Sequence, residues 1–237
     1  MDLSALNLEL AALSTEEVVR KLYALDPAGT VLACSASIED TVLLHMLAEA
    51  AKSAGKKPRA FVLDTGRLPE ETYQVLEDCR QKYHFEFEMV FPESQDVEKL
   101  LRAKGPFSFY ESIENRKECC HIRKVLPLKR ALSGATLWIT GMRREQSVTR
   151  ADVPFVELDQ AHGGILKANP LALWTEKMVY DYASAHNVPV HPLHRRGFPS
   201  IGCEPCTRAI QPGEDFRAGR WWWENADQKE CGLHVKS

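Results

Sequence analysis

The sequence predicts an α/β protein built on a mainly parallel sheet with helices on both faces, and three observations carry that prediction. Short apolar runs of strand length, at residues 31–34, 60–63, 85–91 and 136–140, alternate with longer stretches of helical spacing. Three of the runs lead into turns that begin Ser35, Asp64 and Gly141. With 237 residues, 44% of them hydrophobic, the chain can bury one good core. A βαβαβα rhythm of this kind implies parallel strands covered by helices, with ligands outside the carboxyl ends of the strands.

The elements follow in order. Ser14 and Glu17 have capping-box spacing, Ser14 accepting from the third helical amide while Glu17 reaches back, so a first helix runs to Leu25. After the strand at 31–34, Val42, Leu43, Met46, Leu47 and Ala50 fall on one face of a helix over 39–54 that ends at Gly55. Strand 60–63 is followed by helix 68–83, and strand 85–91 by helix 95–103, closed at Gly105. A cysteine-bearing helical segment over 118–132 is interrupted or restarted at Pro127, which has no amide hydrogen to donate. Strand 136–140 resumes the sheet, 154–158 and 164–167 are further short strands, and 175–186 is a helix. From Asn187 onward Pro, Gly, His and Arg accumulate and regular structure thins. The division is a main domain over 1–210 and a poorly packed, flexible tail over 211–237, which carries three adjacent tryptophans, Trp221 to Trp223, as a packing or docking platform.

Residues 1–13 show no basic region followed by an apolar run and a cleavage site, and no stretch approaches the roughly 20 apolar residues that span a bilayer. A cytoplasmic location is expected. A net charge of −3 gives no reason to invoke nucleic acid or a membrane surface, so any bound anion must be held locally. In a reducing compartment, seven cysteines with two close pairs favour metal binding or redox catalysis over a disulfide framework.

Chemistry concentrates in a few segments. The turn from Cys34 to Asp40 leaves a strand and enters a helix, where backbone amides and the hydroxyls of Ser35 and Ser37 can hold a phosphate or simply cap the helix. It lacks a P-loop signature. Gly141, Arg143, Arg144 and Arg150 belong to a basic loop after a strand, and Arg217 and Arg220 flank the approach to the tail. Cys203 and Cys206, two residues apart, can aim both sulfurs at one iron-sulfur cluster or zinc ion, or form a redox dithiol. Cys119 and Cys120 diverge by about 100° on a helix, so they share a centre only if it is large or the helix distorts, which favours a cluster over one zinc. Lys124 lies near the same helical face as Cys120. Cys231, with Gly232 for freedom and His234 to favour the thiolate, is either a nucleophile or an incidental surface thiol. Cys34 and Cys79 read as packed side chains.

The segments Ser35-x-Ser37-x-Glu39-Asp40, Leu63-Asp64-Thr65-Gly66, Cys119-Cys120-x-x-Arg123-Lys124, Gly141-x-Arg143-Arg144-x-Gln146-Ser147, Cys203-x-x-Cys206 and Glu230-Cys231-Gly232-Leu233-His234 cover nearly the whole chain. Together they resemble the assimilatory adenylylsulfate (APS) reductases, thioredoxin-dependent relatives of the 3′-phosphoadenylylsulfate (PAPS) reductases. That resemblance implies an adenine nucleotide alpha hydrolase-like fold related to the ATP pyrophosphatases. It implies a 4Fe-4S cluster on Cys119, Cys120, Cys203 and Cys206, with Cys231 as the catalytic nucleophile. It implies APS as substrate, thioredoxin or a related dithiol as donor, and a homo-oligomer, dimer or tetramer. Reductases restricted to PAPS characteristically lack both cysteine pairs, so the pairs point to APS. Lys124, Arg217, Arg220 and His234 are the candidates to gather around the sulfonate, with Ser35, Ser37, Gly141, Arg143, Arg144 and Arg150 on the rest of the nucleotide. Where the ATP pyrophosphatases have Gly-Gly in the phosphate loop this chain has Ala36-Ser37, so ATP cleavage is not expected.

Overall fold

The computed structural model describes residues 2–84, 86–147, 150–225 and Leu233. Six strands form one sheet: β1 (Thr30–Ala33), β2 (Ala60–Leu63), β3 (Phe87–Val90), β4 (Leu137–Ile139), β5 (Val156–Asp159) and β6 (Ile165–Ala168). Their order is β3-β2-β1-β4-β6-β5, with every neighbour parallel except the β5–β6 pair. β1 sits centrally, Leu32 opposite Ala60 on one side and Thr30 opposite Leu137 on the other. Chain direction across the sheet reverses between β1 and β4, and such a switch point opens a crevice at the carboxyl ends of the strands.

Alternation along the strands sends side chains into two cores. Leu32, Val62, Leu137 and Ile139 join the larger one with helices α2 (Thr15–Leu25), α3 (Ile38–Ser53), α4 (Glu70–Tyr83) and α8 (Glu176–Ala185). Val31, Phe61, Val90 and Trp138 face the other side, where α7 (Leu126–Ala131) packs through Leu128 and Ala131. α5 (Ser94–Lys104) follows β3 as expected. Ser14 and Glu17 close the reciprocal capping box at the start of α2.

Three local expectations change. Residues 3–11 form a helix, α1 (Leu3–Ala11), whose Asp2 carboxylate accepts from the amides of Ser4 and Ala5. The helical segment over 118–132, expected to be interrupted or restarted at Pro127, starts earlier and carries its interruption just before the proline: α6 (Ile113–Cys120), a π-helical turn His121–Val125, and α7 follow one another. Pro127 would clash with the carbonyl one turn back in a regular helix, and the wider turn, closed by the Leu126 amide on His121 O, relieves it. Finally, the stretch after 211 is not loosely packed throughout. Arg220 forms an antiparallel bridge with Thr207, and Trp221 is 1% exposed.

Candidate active site

The loop after β1 enters the crevice with Ala36 in the left-handed region at φ 61° and fully buried. Ser37 is the N-cap of α3 but makes no side-chain cap bond to the backbone; its hydroxyl bonds instead to the Asp40 carboxylate in the first turn. Asp40 locks the loop: its Oδ2 accepts from the Ser35 amide at 2.6 Å and the Ser35 hydroxyl at 2.7 Å. Burial raises the Asp40 pKa to about 6 against the lowering effect of those bonds. Gly141, leaving β4, must be glycine, because a Cβ there would lie 2.5 Å from Asp40 Oδ1 and 2.8 Å from the Glu39 Cβ. The Ile38 amide is taken by His194 Nε2 at 3.3 Å, while His194 Nδ1 donates to Phe198 O at 2.8 Å. Burial lowers the His194 pKa, which keeps that nitrogen an acceptor.

These elements bound a cleft of about 230 Å³, into which Ser35, Ser37, Thr65, Lys124, Gly141, Gln146, Arg150, Arg217 and Arg220 all face. Arg150 reaches it from beside Gln146, to whose Oε1 it donates. Leu233 also lines the cleft and packs against the core that contains Trp138. Arg143 and Arg144 are not brought to it. Arg143 is buried, its Nε donating to Glu39 Oε1 at 3.0 Å and its Nη1 to Glu145 at 2.9 Å. Gln146 donates to the same Glu39 oxygen, so Arg143 braces the loop from behind. Arg144 donates to Val153 O on another side of the molecule. Cys231 and His234 lie outside the described residues.

A second, smaller void abuts the cleft. Cys119, Cys120, Cys203 and Cys206 line it together with Arg67, Arg116, Arg123, Lys124 and Phe109. The π-helical turn begins one residue after Cys120, and Cys206 closes a tight turn by donating its amide to Cys203 O. Thr65 Oγ1 lies 3.2 Å from Cys203 Sγ, and Arg123 fixes the Thr65 carbonyl at 2.6 Å. Burial pushes the Cys203 thiol up, but Lys124, the Thr65 hydroxyl, Arg220 and Arg123 outweigh it and the pKa falls. Burial pushes Cys206 up to about 12, with Cys203 adding to the rise, and burial also raises Cys119. Among the described residues no three His, Cys, Asp or Glu side chains are set to hold a single metal ion. Cys34 and Cys79 are buried in the main core, as expected of packed thiols.

Sequence reasoning missed the support of this void. Two guanidinium groups lie over the Trp221 ring, that of Arg116 at 4.7 Å and that of Arg220 at 4.8 Å from its centroid. Arg116 also forms a fully buried bidentate pair with Glu224, at 2.9 and 2.6 Å. Adjacent tryptophans signalled packing but not the partner, since Arg116 lies over a hundred positions away.

Comparison with known proteins fits this geometry. The phosphoadenosine phosphosulfate reductase domain matches residues 29–209, which hold the whole sheet and all four clustered cysteines. The chain belongs to that reductase family. Among its curated relatives is the adenosine 5′-phosphosulfate reductase of Burkholderia cepacia, 54% identical over 203 residues, covering 86% of this chain and 79% of the relative. Another is the protein of the same name from Neisseria meningitidis serogroup B, 48% identical over 203 residues, covering 85% and 80%. The phosphoadenylyl-sulfate reductase of Candida auris, solved with phosphate, superposes with a TM-score of 0.72 at 25% identity, over 87% of this chain and 95% of that one. An NH3-dependent NAD synthetase from Campylobacter jejuni shares the fold more distantly, with a TM-score of 0.50, 13% identity, and coverage of 79% and 75%. The adenine nucleotide alpha hydrolase-like reading of the reductase fold stands. Among the described residues no helix is long and apolar enough to cross a membrane.

Proposed function

We propose that this protein reduces adenosine 5′-phosphosulfate to sulfite and AMP in assimilatory sulfate reduction, in the cytoplasm, with a thioredoxin-like dithiol as electron donor. One observation carries the reading: a cationic cleft at the switch point of the sheet shares Lys124, and the wall at Cys203, with a void lined by four cysteines. The nucleotide would lie across the ends of β1, β2 and β4, its phosphate against Ser35, Ser37 and the backbone at Gly141. Lys124, Arg217 and Arg220 then meet the sulfonate, with Arg150 on the rest of the nucleotide. Arg143 and Arg144 serve by shaping the loop rather than by contact.

The Cys231 thiolate attacks the sulfur of the sulfonate. An S–S bond forms, the S–O bond to AMP breaks, and AMP leaves as a stable anion that needs no general acid. The cationic side chains offset the charge of two approaching anions, a preorganised stabilisation that is strongest in a site shielded from water. A donor thiolate next attacks Cys231 Sγ and expels sulfite, leaving a mixed disulfide; the donor's second thiol resolves it and frees Cys231. Both electrons come from the dithiol. Leu233, seated in the cleft two positions after Cys231, supports the assignment.

The four cysteines fit a 4Fe-4S cluster. The four residues line a common void, adjacent Cys119 and Cys120 suit a centre larger than one ion, and Arg67, Arg116, Arg123 and Lys124 offset thiolate charge. Bound there, the cluster would supply a fixed local field beside Lys124. Iron and acid-labile sulfide analysis of anaerobically purified protein tests this, four of each per chain being expected and zinc in their place contradicting it. PAPS is the second substrate to weigh, because the domain family and the Candida auris structure carry its name. Comparison of kcat/KM on the two nucleotides decides, a preference for APS being expected.

A further inference from the structure

The buried Arg116–Glu224 pair joins the cysteine void to the Trp221 side of the nucleotide cleft. Arg116 lies on α6, one turn before Cys119 and Cys120, and its side chain lines the cysteine void. Its guanidinium edge grips Glu224, and its face covers Trp221. Arg220 covers Trp221 on the same terms and reaches the nucleotide cleft, where its Nη1 also donates to Ile201 O at 3.1 Å. Trp221 itself lines the cleft. Cysteine helix, tryptophan and cleft arginine thus form one stack, closed at its far end by a pair whose side chains are 0% and 2% exposed.

Such a pair is a poor choice for stability alone. Removing two charges from water is costly, and a well-packed apolar pair often does as well. What a bidentate fork adds is direction: it fixes both the plane of Arg116 and the position of segment 221–224. We propose that Arg116 and Glu224 are positioning residues, a clamp that holds Trp221 so that Arg220 presents its charge to the anionic end of the nucleotide. The inference rests on reading the cleft as a nucleotide site.

Titration calorimetry with APS and with AMP, on cluster-loaded Cys231→Ser protein with and without Glu224→Gln, tests it. Glutamine keeps the size of the side chain but not the charge. The clamp predicts about tenfold weaker APS binding on adding Glu224→Gln, with AMP binding changed by no more than about twofold. Loss of packing alone would weaken both ligands equally, and that result overturns the proposal, as does unchanged APS affinity. If Glu224→Gln does not fold, Arg116→Lys, which keeps the charge and loses the fork, is read by the same rule. A parent protein that binds neither ligand would instead reject the nucleotide site itself.

Discussion

The two halves of the site are built on different principles. Around the nucleotide cleft, geometry comes from topology and backbone: strand ends meet at a switch point, Ala36 takes a left-handed turn, and Gly141 lets β4 approach Asp40. Around the cysteines it comes from side chains delivered by three distant segments, α6, the turn 203–206 and the stretch 221–224, held by buried guanidinium contacts. A backbone-built site is preformed in the apoprotein. On the proposed reading, a site assembled from distant side chains around four thiols is completed only when its cluster is bound, so the two should fail separately.

The largest separation is expected from Cys203→Ser. Iron content and turnover should fall by about a hundredfold or more, as for loss of an essential metal ligand or its partners, while the far-ultraviolet circular dichroism of the sheet persists. Parallel collapse of both would erase the distinction. Lys124→Ala touches both halves at their shared wall; kcat should fall by about 10²–10³ with iron content retained, as when a preorganised charge is removed from a reacting anion. Loss of iron in that variant would move Lys124 to a purely supporting role.

Gly141→Ala attacks the other half. With a Cβ 2.5 Å from Asp40 Oδ1, the loop must shift, at a cost of about 1–3 kcal/mol, or roughly 2–12 °C in Tm. AMP binding should weaken while iron content holds, and a melting curve that matches the parent would show that the loop yields freely. The smallest effect sharpens the role of Asp40. Its folded pKa of about 6 lies above the ordinary 3.8, so ionising it opposes folding. Its contribution is therefore present below 3.8 and lost as pH rises through about 6. Asp40→Asn cannot ionise and keeps an oxygen for the Ser35 donors. Its Tm should gain on the parent across that window, and a constant difference would contradict the assignment.

The same division explains what could be read from the sequence. The parallel sheet was legible because Val31, Phe61, Val62 and their neighbours form unbroken apolar runs, and α2 because its capping box is local. The spacing of the two cysteine pairs drew attention to them but left a cluster, zinc or a redox dithiol open, and it did not show that all four line one void. α1 escaped because apolar residues fall on both its faces: Leu6 and Leu10 are buried, while Leu8 is 77% exposed. The placement of Arg143 behind the loop depends on Glu39, and the Trp221 stack on Arg116; neither pairing leaves a local trace. Motif position located the basic loop but not which of its arginines turns inward.

Intact-mass spectrometry of the protein mixed with APS in the absence of any thiol reductant tests the central claim most directly. The account predicts one added SO3 per chain, mapped to Cys231 and absent from Cys231→Ser. Unchanged mass at that residue, or an adduct on any other cysteine, would contradict it.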